Sequence, residues 1–108
     1  METIPKVTAL LTFGDVSAVG AIRAINESSL EVPKDISVIG HVDMSICEYV
    51  TPRLTSIKYP VTEMAKVATE LLFDRLRENN ETAPKKNVTL PLKLVIREST
   101  DKVNLKRL

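Results

Sequence analysis

A helix-like stretch that runs into Glu31-Val32-Pro33-Lys34-Asp35 and is followed at once by Ile36-Ser37-Val38-Ile39-Gly40 leaves few architectures open. Proline and its predecessor resist helix continuation. The run after the turn is continuous and apolar rather than alternating, the pattern of a strand covered on both faces, as in a parallel sheet flanked by helices. Upstream, Val7 to Phe13 forms a short apolar run ended by Gly14-Asp15, after which Ala18, Ile22 and Ile25, with Val19 and Ala21 beside them, fall at helical spacing. Strand, tight turn, helix and strand make a βαβ unit, expected to be right-handed. Asp15 stands where its carboxylate can cap the first helical turn and complement the positive end of the helix. The same position suits a ligand contact, and both roles can coexist.

Farther along, Leu54 to Tyr59 reads as another strand, and Pro60 sits where a helix can open. Val61, Met64, Ala65, Ala68, Leu71, Leu72 and Leu76 then form an apolar stripe with Glu63, Lys66, Glu70 and Asp74 mostly off it. Asn79 to Asn87 is polar, holds Pro84 and reads as a loop. Val88 to Ile96 is strand-like with Pro91 as a bend or edge marker, and the 101–108 tail is expected to fray. Three or four strands with two substantial helices cannot cover both faces of a parallel sheet. An incomplete α/β domain, with apolar surface left over, is the expected fold.

Charge narrows the function classes. Fifteen Lys and Arg against fourteen Asp and Glu give a net charge of +1, with no excess to attract phosphate backbones. Trp is absent and there are two Phe and two Tyr, which rules out a broad stacking platform for single strands. Cys47 is the single cysteine, so no internal disulfide can form, and without a Lys, Arg or His close in sequence it reads as structural. No apolar stretch approaches the roughly 20 residues of a membrane-spanning helix. Met1 to Lys6 lacks the pattern of a secretory signal, so a cytoplasmic location is expected. Ser17, Ser28 and Ser29 are near neither a nucleophile-elbow motif nor a phosphate-cradling glycine loop. With one histidine and no acid–base pair, no catalytic residue, metal site or cofactor is expected, and the chain does not read as an enzyme.

Several segments together resemble the effector-binding domain of the LacI/GalR family of transcription regulators. They are Leu10-Leu11-Thr12-Phe13-Gly14-Asp15 with Ala18-Val19-Gly20-Ala21-Ile22-Arg23-Ala24; Val32-Pro33-Lys34-Asp35-Ile36-Ser37-Val38-Ile39-Gly40; Thr51-Pro52-Arg53-Leu54-Thr55; and Leu94-Val95-Ile96-Arg97-Glu98-Ser99-Thr100. The resemblance implies a partial periplasmic-binding-protein-like fold, two α/β lobes joined by crossing strands with a small effector in the cleft. Residues 1–100 would be its carboxy-terminal portion, with Leu54 to Pro60 crossing between lobes and the helix from Val61 in the other lobe. Operator DNA would be bound through a helix-turn-helix headpiece outside this chain, and the intact protein would be a homodimer.

The resemblance also assigns residues. Phe13, Gly14, Asp15, His41 and Val42 would line the effector site, and Val19, Ile22, Arg23, Asn26, Tyr49 and Val50 would contribute to the dimer contact. Two of these depart from the family pattern. Gly14 stands where an Asn usually meets a sugar hydroxyl, and Val42 replaces the first of two aspartates, a common ligand contact. Losing a carboxylate there removes a charge-assisted acceptor. The expected effector is a sugar or sugar derivative other than a plain hexose held in the common way, unless effector control has been lost. Two other readings share these residues. One is a solute-binding subunit of a sugar transporter, and the other is a truncated regulator acting as a protein-interaction module.

Overall fold

The computed structural model describes residues 6–78 and 85–107. Four strands form one sheet in the order β1-β2-β3-β4: β1 Ala9–Leu11, β2 Ser37–Val42, β3 Thr55–Lys58 and β4 Lys93–Val95. The first three are parallel, with Leu11 beside Ile39 and Val42 beside Lys58. The fourth is antiparallel to β3, with Ile57 beside Leu94, so the sheet is mixed where the apolar pattern predicts a parallel one. Pattern alone cannot supply direction, because a three-residue strand has the same side-chain alternation either way.

Helix α1, Asp15–Glu27, joins β1 to β2 and packs Ala18 and Ile22 into a core with Val32, Val38, Cys47 and Leu54; Ile25, Ile36 and Val50 pack against its edge. Its end follows from local chemistry. Ser29 adopts a left-handed φ of 64°, its amide donates to the Asn26 carbonyl at 3.2 Å and the Leu30 amide to the Ile25 carbonyl at 3.2 Å. These bonds satisfy carbonyls that the last turn would otherwise leave open. A turn through Val32–Asp35, closed by the Asp35 amide on the Glu31 carbonyl at 2.8 Å, then delivers the chain into β2.

The strand expected over Val7 to Phe13 shortens to Ala9–Leu11, and the one over Val88 to Ile96 to Lys93–Val95. Residues 97–101 are knitted to the sheet by backbone bonds, among them the Val38 amide to the Ser99 carbonyl and the Ser99 amide to the Arg53 carbonyl, both at 2.9 Å, and by side chains. The buried Ser99 hydroxyl donates to the Val38 carbonyl at 2.6 Å and accepts the Thr55 amide at 2.8 Å. The Asp101 amide meets the Ser37 hydroxyl at 3.1 Å, so the last segment is tied down at its start. A short 3-10 turn covers Leu105–Arg107.

The chain divides into two compact units, one formed by residues up to Lys58 together with those from Lys93, the other by Tyr59–Leu92. In the second, α2 spans Val61–Glu78 with Glu63 in its first turn and Arg75 and Arg77 in its last, signs that suit the helix dipole. No residue of α2 is buried. Tyr59, Met64, Val67, Ala68, Leu71, Val88, Leu90 and Leu92 line a hollow of about 230 Å³, and Leu72, Phe73 and Leu76 are at least half exposed. The apolar surplus expected from the sequence is present. Of the polar loop expected over 79–87, residues 79–84 lie outside the described residues, and 85–87 are irregular.

Candidate functional site

Ligand sites of open α/β sheets lie beyond the carboxyl ends of the parallel strands, and two chain reversals meet there. After β1, the Thr12 amide still bonds the Ile39 carbonyl at 2.9 Å and its hydroxyl reaches the Gly14 carbonyl at 2.9 Å. Phe13 is thereby turned out to 97% exposure. Gly14 is half-buried and extended, with nothing within 4 Å of where a Cβ would lie. At the end of β2, Val42 and the following Asp43 take φ of 98° and 67°. Such angles are rare for residues other than glycine, rarest for a β-branched side chain, and cost on the order of 1–3 kcal/mol each.

Asp15 joins the two reversals. The expected cap is not made: Gly14 occupies the capping position and no side chain caps the helix. The Asp15 carboxylate is 1% exposed and faces inward, accepting the Ser56 hydroxyl on Oδ1 at 2.6 Å and the Met44 amide on Oδ2 at 2.6 Å. A buried carboxylate needs such donors, and two short ones outweigh an exposed cap. Gly40 makes room for it, since a Cβ there would strike the Asp15 carboxylate and the Leu54 side chain. Asp15 is therefore a buried tie between the two chain reversals.

Asp43 does more than shape the turn. Its Oδ1 lies 2.7 Å from Arg97 Nη1, both side chains being largely buried. The same nitrogen donates to the Leu54 carbonyl at 2.7 Å, so the contact with Asp43 is one of charge without an aligned hydrogen bond at Oδ1. The Asp43 carboxylate above all raises the Arg97 pKa beyond its ordinary high value, burial opposing it. Arg97 and Ser56 escaped sequence reasoning. A basic residue ending the apolar run Leu94-Val95-Ile96 was the available signal for the first; Ser56 offered none.

His41, within β2, and Val42, at its end, share this edge of the sheet; His41 is half-buried and Val42 is 40% exposed. Cys47 is fully buried and its thiol is pushed up to about 11 by burial first and then by the Asp15 charge. It cannot serve as a nucleophile near neutral pH. Among the described residues no group of three or more His, Cys, Asp or Glu could hold a metal ion, and no helix is long and apolar enough to cross a membrane.

On the outer side of α1, Val19, Ile22, Arg23 and Asn26 line an open hollow of about 430 Å³ together with Glu27, Val50 and Thr51. Ile22 is 4% exposed and belongs to the core; the hollow's rim is polar, with Arg23 paired to Glu27 at 3.0 Å. Tyr49, 80% exposed, stands apart from them, on a second hollow of about 440 Å³ with Glu48, Arg53, Ile96, Arg97 and Glu98.

Comparison with known proteins converges on one group. A family described as a periplasmic binding protein-like domain matches residues 1–100. The HTH-type transcriptional regulator MalR of Clostridium butyricum is 38% identical over 93 residues, which are 86% of this chain and 27% of that protein. The HTH-type transcriptional repressor PurR of Aliivibrio fischeri is 39% identical over 80 residues, 74% of this chain and 24% of its own length. The chain thus spans about a quarter of the curated relatives it matches. Among solved structures, a LacI family transcriptional regulator from Enterococcus faecalis with bound ribose superposes with a TM-score of 0.77 at 32% identity, covering 90% of this chain and 36% of that one. The Lac repressor dimer bound to operator and an anti-inducer gives 0.75 at 39% identity, covering 86% and 32%.

Proposed function

Because the chain belongs to the periplasmic-binding-protein-like domain family, in the form carried by LacI-type regulators, we propose that it is the carboxy-terminal part of the effector-binding, dimerising domain of a transcription regulator, a repressor. One observation carries this reading: Phe13-Gly14 and Val42-Asp43 leave the carboxyl ends of adjacent parallel strands, and Asp15 and Ser56 tie the two turns together. A cleft wall needs that kind of fixed loop pair.

Residues 1–100 are the domain portion and 101–108 a tail. The separation of Tyr59–Leu92 as its own compact unit supports a reading in which Leu54 to Pro60 crosses between lobes and the helix from Val61 belongs to the other lobe. A small sugar-related effector, bound between lobes, biases their closure and so the affinity of two headpieces for operator DNA through linked equilibria. The headpieces lie outside these 108 residues. Val19, Arg23, Asn26 and Val50 around the α1 hollow supply dimer surface, with Ile22 as its floor. Such a regulator acts in the cytoplasm and is not an enzyme.

The test is the native product, detected in source cells with antibody against this chain. A polypeptide several times the 12.0 kDa of this sequence, shifting DNA from its own upstream region and releasing it with a sugar, is expected. A long product that binds no DNA sinks the proposal. A product of about 12.0 kDa favours a second reading, a truncated regulator that associates with longer relatives, to which the uncovered apolar face of α2 lends support.

A further inference from the structure

Ser56 is buried completely, within β3, yet its hydroxyl reaches Asp15, at the start of α1 after β1, and the loop after β2. It donates to Asp15 Oδ1 at 2.6 Å and accepts the Asp43 amide at 3.1 Å. Asp15 Oδ2 accepts the next amide, that of Met44, at 2.6 Å. The Asp43 side chain is held in turn by Arg97, whose amide also bonds the Thr55 hydroxyl at 2.8 Å. The amides of both 43 and 44 thus lead to Ser56 or Asp15, while the Met44 carbonyl accepts the Cys47 amide at 3.0 Å. Asp43, with Val42 before it, adopts a left-handed φ, which valine avoids unless its surroundings impose it.

We propose that Ser56 is a positioning residue for the effector loop: by gripping the Asp43 amide while bonded to Asp15, it holds Val42 in the left-handed conformation and so decides how side chain 42 is presented to a ligand. This rests on the reading of the 42–43 loop as cleft wall. The clamp itself is a property of the loop alone, which separates the two ideas experimentally.

A double-mutant cycle on the full chain tests it by thermal unfolding. Val42→Gly relieves a left-handed φ only while that φ is imposed, so it raises Tm by about 4 °C or more in the otherwise unchanged chain. In a Ser56→Ala background the loop relaxes to negative φ, and the same Val42→Gly change gives no gain or lowers Tm. A merely structural Ser56 leaves the two shifts equal, and that additivity overturns the proposal. Should Ser56→Ala fail to fold, Ser56→Cys, close in volume but a weak hydrogen-bonding group, takes its place in the cycle and is read the same way. Calorimetric titration of the native gene product with ribose decides the cleft reading separately: if Val42→Gly leaves ribose affinity unchanged while the cycle is non-additive, the clamp stands and the assignment of the loop to the effector site fails.

Discussion

Gly40 and Asp15 fit each other by subtraction: the volume a Cβ at residue 40 would fill is taken by the Asp15 carboxylate, with the Leu54 side chain 2.9 Å from the same point. The glycine is there for close approach, since its φ is not positive. Gly40→Ala is therefore expected to destabilise by about 1–3 kcal/mol through overpacking, read as a lower urea midpoint at unchanged slope. Asp15→Ala in the same chain removes the obstacle, so the double variant should be more stable than the two separate losses predict. Strict additivity would show that residue 40 meets something other than Asp15.

Asp15 itself is a stronger test of the loop tie. Removing its carboxylate strands the buried Ser56 hydroxyl and the Met44 amide together. Hydrogen bonds to charged groups contribute about 1.5–3 kcal/mol each, so Asp15→Ala should cost on the order of 3 kcal/mol or more. Asp15→Asn keeps shape and one acceptor and should cost roughly half. Hydrogen exchange would report the mechanism, because the Met44 amide should lose protection before that of Val38, which bonds the Ser99 carbonyl at 2.9 Å. Equal loss at both amides points to global unfolding instead.

The βαβ unit and its core were legible because they rest on apolar periodicity: Ala18, Ile22 and Ile25 on one helical face, Val38 in a continuous run, and the Pro33 turn between them. What periodicity does not encode is which polar groups meet across 29 or 41 residues of chain. Asp15 was read from its neighbours in sequence as a cap, a ligand contact or both, whereas its hydrogen-bond partners are Ser56 and Met44. The closing segment failed for the same reason. The strand-like run was read over Val88 to Ile96 and the tail from Asp101 as fraying, yet Arg97, Ser99 and Asp101 are fastened through hydroxyls of Thr55, Ser99 and Ser37 as well as through backbone bonds of Ser99. The exposed stripe on α2 was legible too, since the count of helices already fell short of covering a sheet.

Cys47 gives the chain an alkaline limit. Burial and the Asp15 carboxylate lift its thiol from 9.0 to about 11, so the folded state keeps a proton that the unfolded state releases first. The stability this contributes is complete below pH 9 and is lost as pH rises towards 11. The full separation is worth on the order of 2–3 kcal/mol. Cys47→Ser should flatten that alkaline decline in a urea series at fixed pH values. In the native chain at pH 8, a thiol reagent should label Cys47 only after denaturant is added, and rapid labelling without it would contradict the buried site.

Helix α2 makes the opposite prediction about packing. Phe73 is 50% exposed and Leu76 64% exposed. Their replacement by Gln should shift stability by no more than about 0.5 kcal/mol, while lowering self-association measured by light scattering, because large uncovered apolar patches drive association. A loss of several kcal/mol would mean that these side chains are covered in the folded chain in solution.

Residues 14 and 42 offer a gain-of-function test of the effector reading. A Cβ at Gly14 meets nothing within 4 Å and the backbone there is extended, so Asn fits without strain. Position 42, at φ 98°, suits Asp better than valine, because short polar side chains tolerate left-handed backbone. If the two departures from the family pattern are what removes plain-hexose recognition, Gly14→Asn with Val42→Asp in the intact regulator restores polar partners for a sugar hydroxyl. Hexose affinity should then rise roughly 10- to 100-fold, the equivalent of one charge-assisted hydrogen bond. Isothermal titration with glucose and galactose reads this directly. A folded double variant with no gain would place residues 14 and 42 outside the ligand's reach and return the effector site to other parts of the cleft.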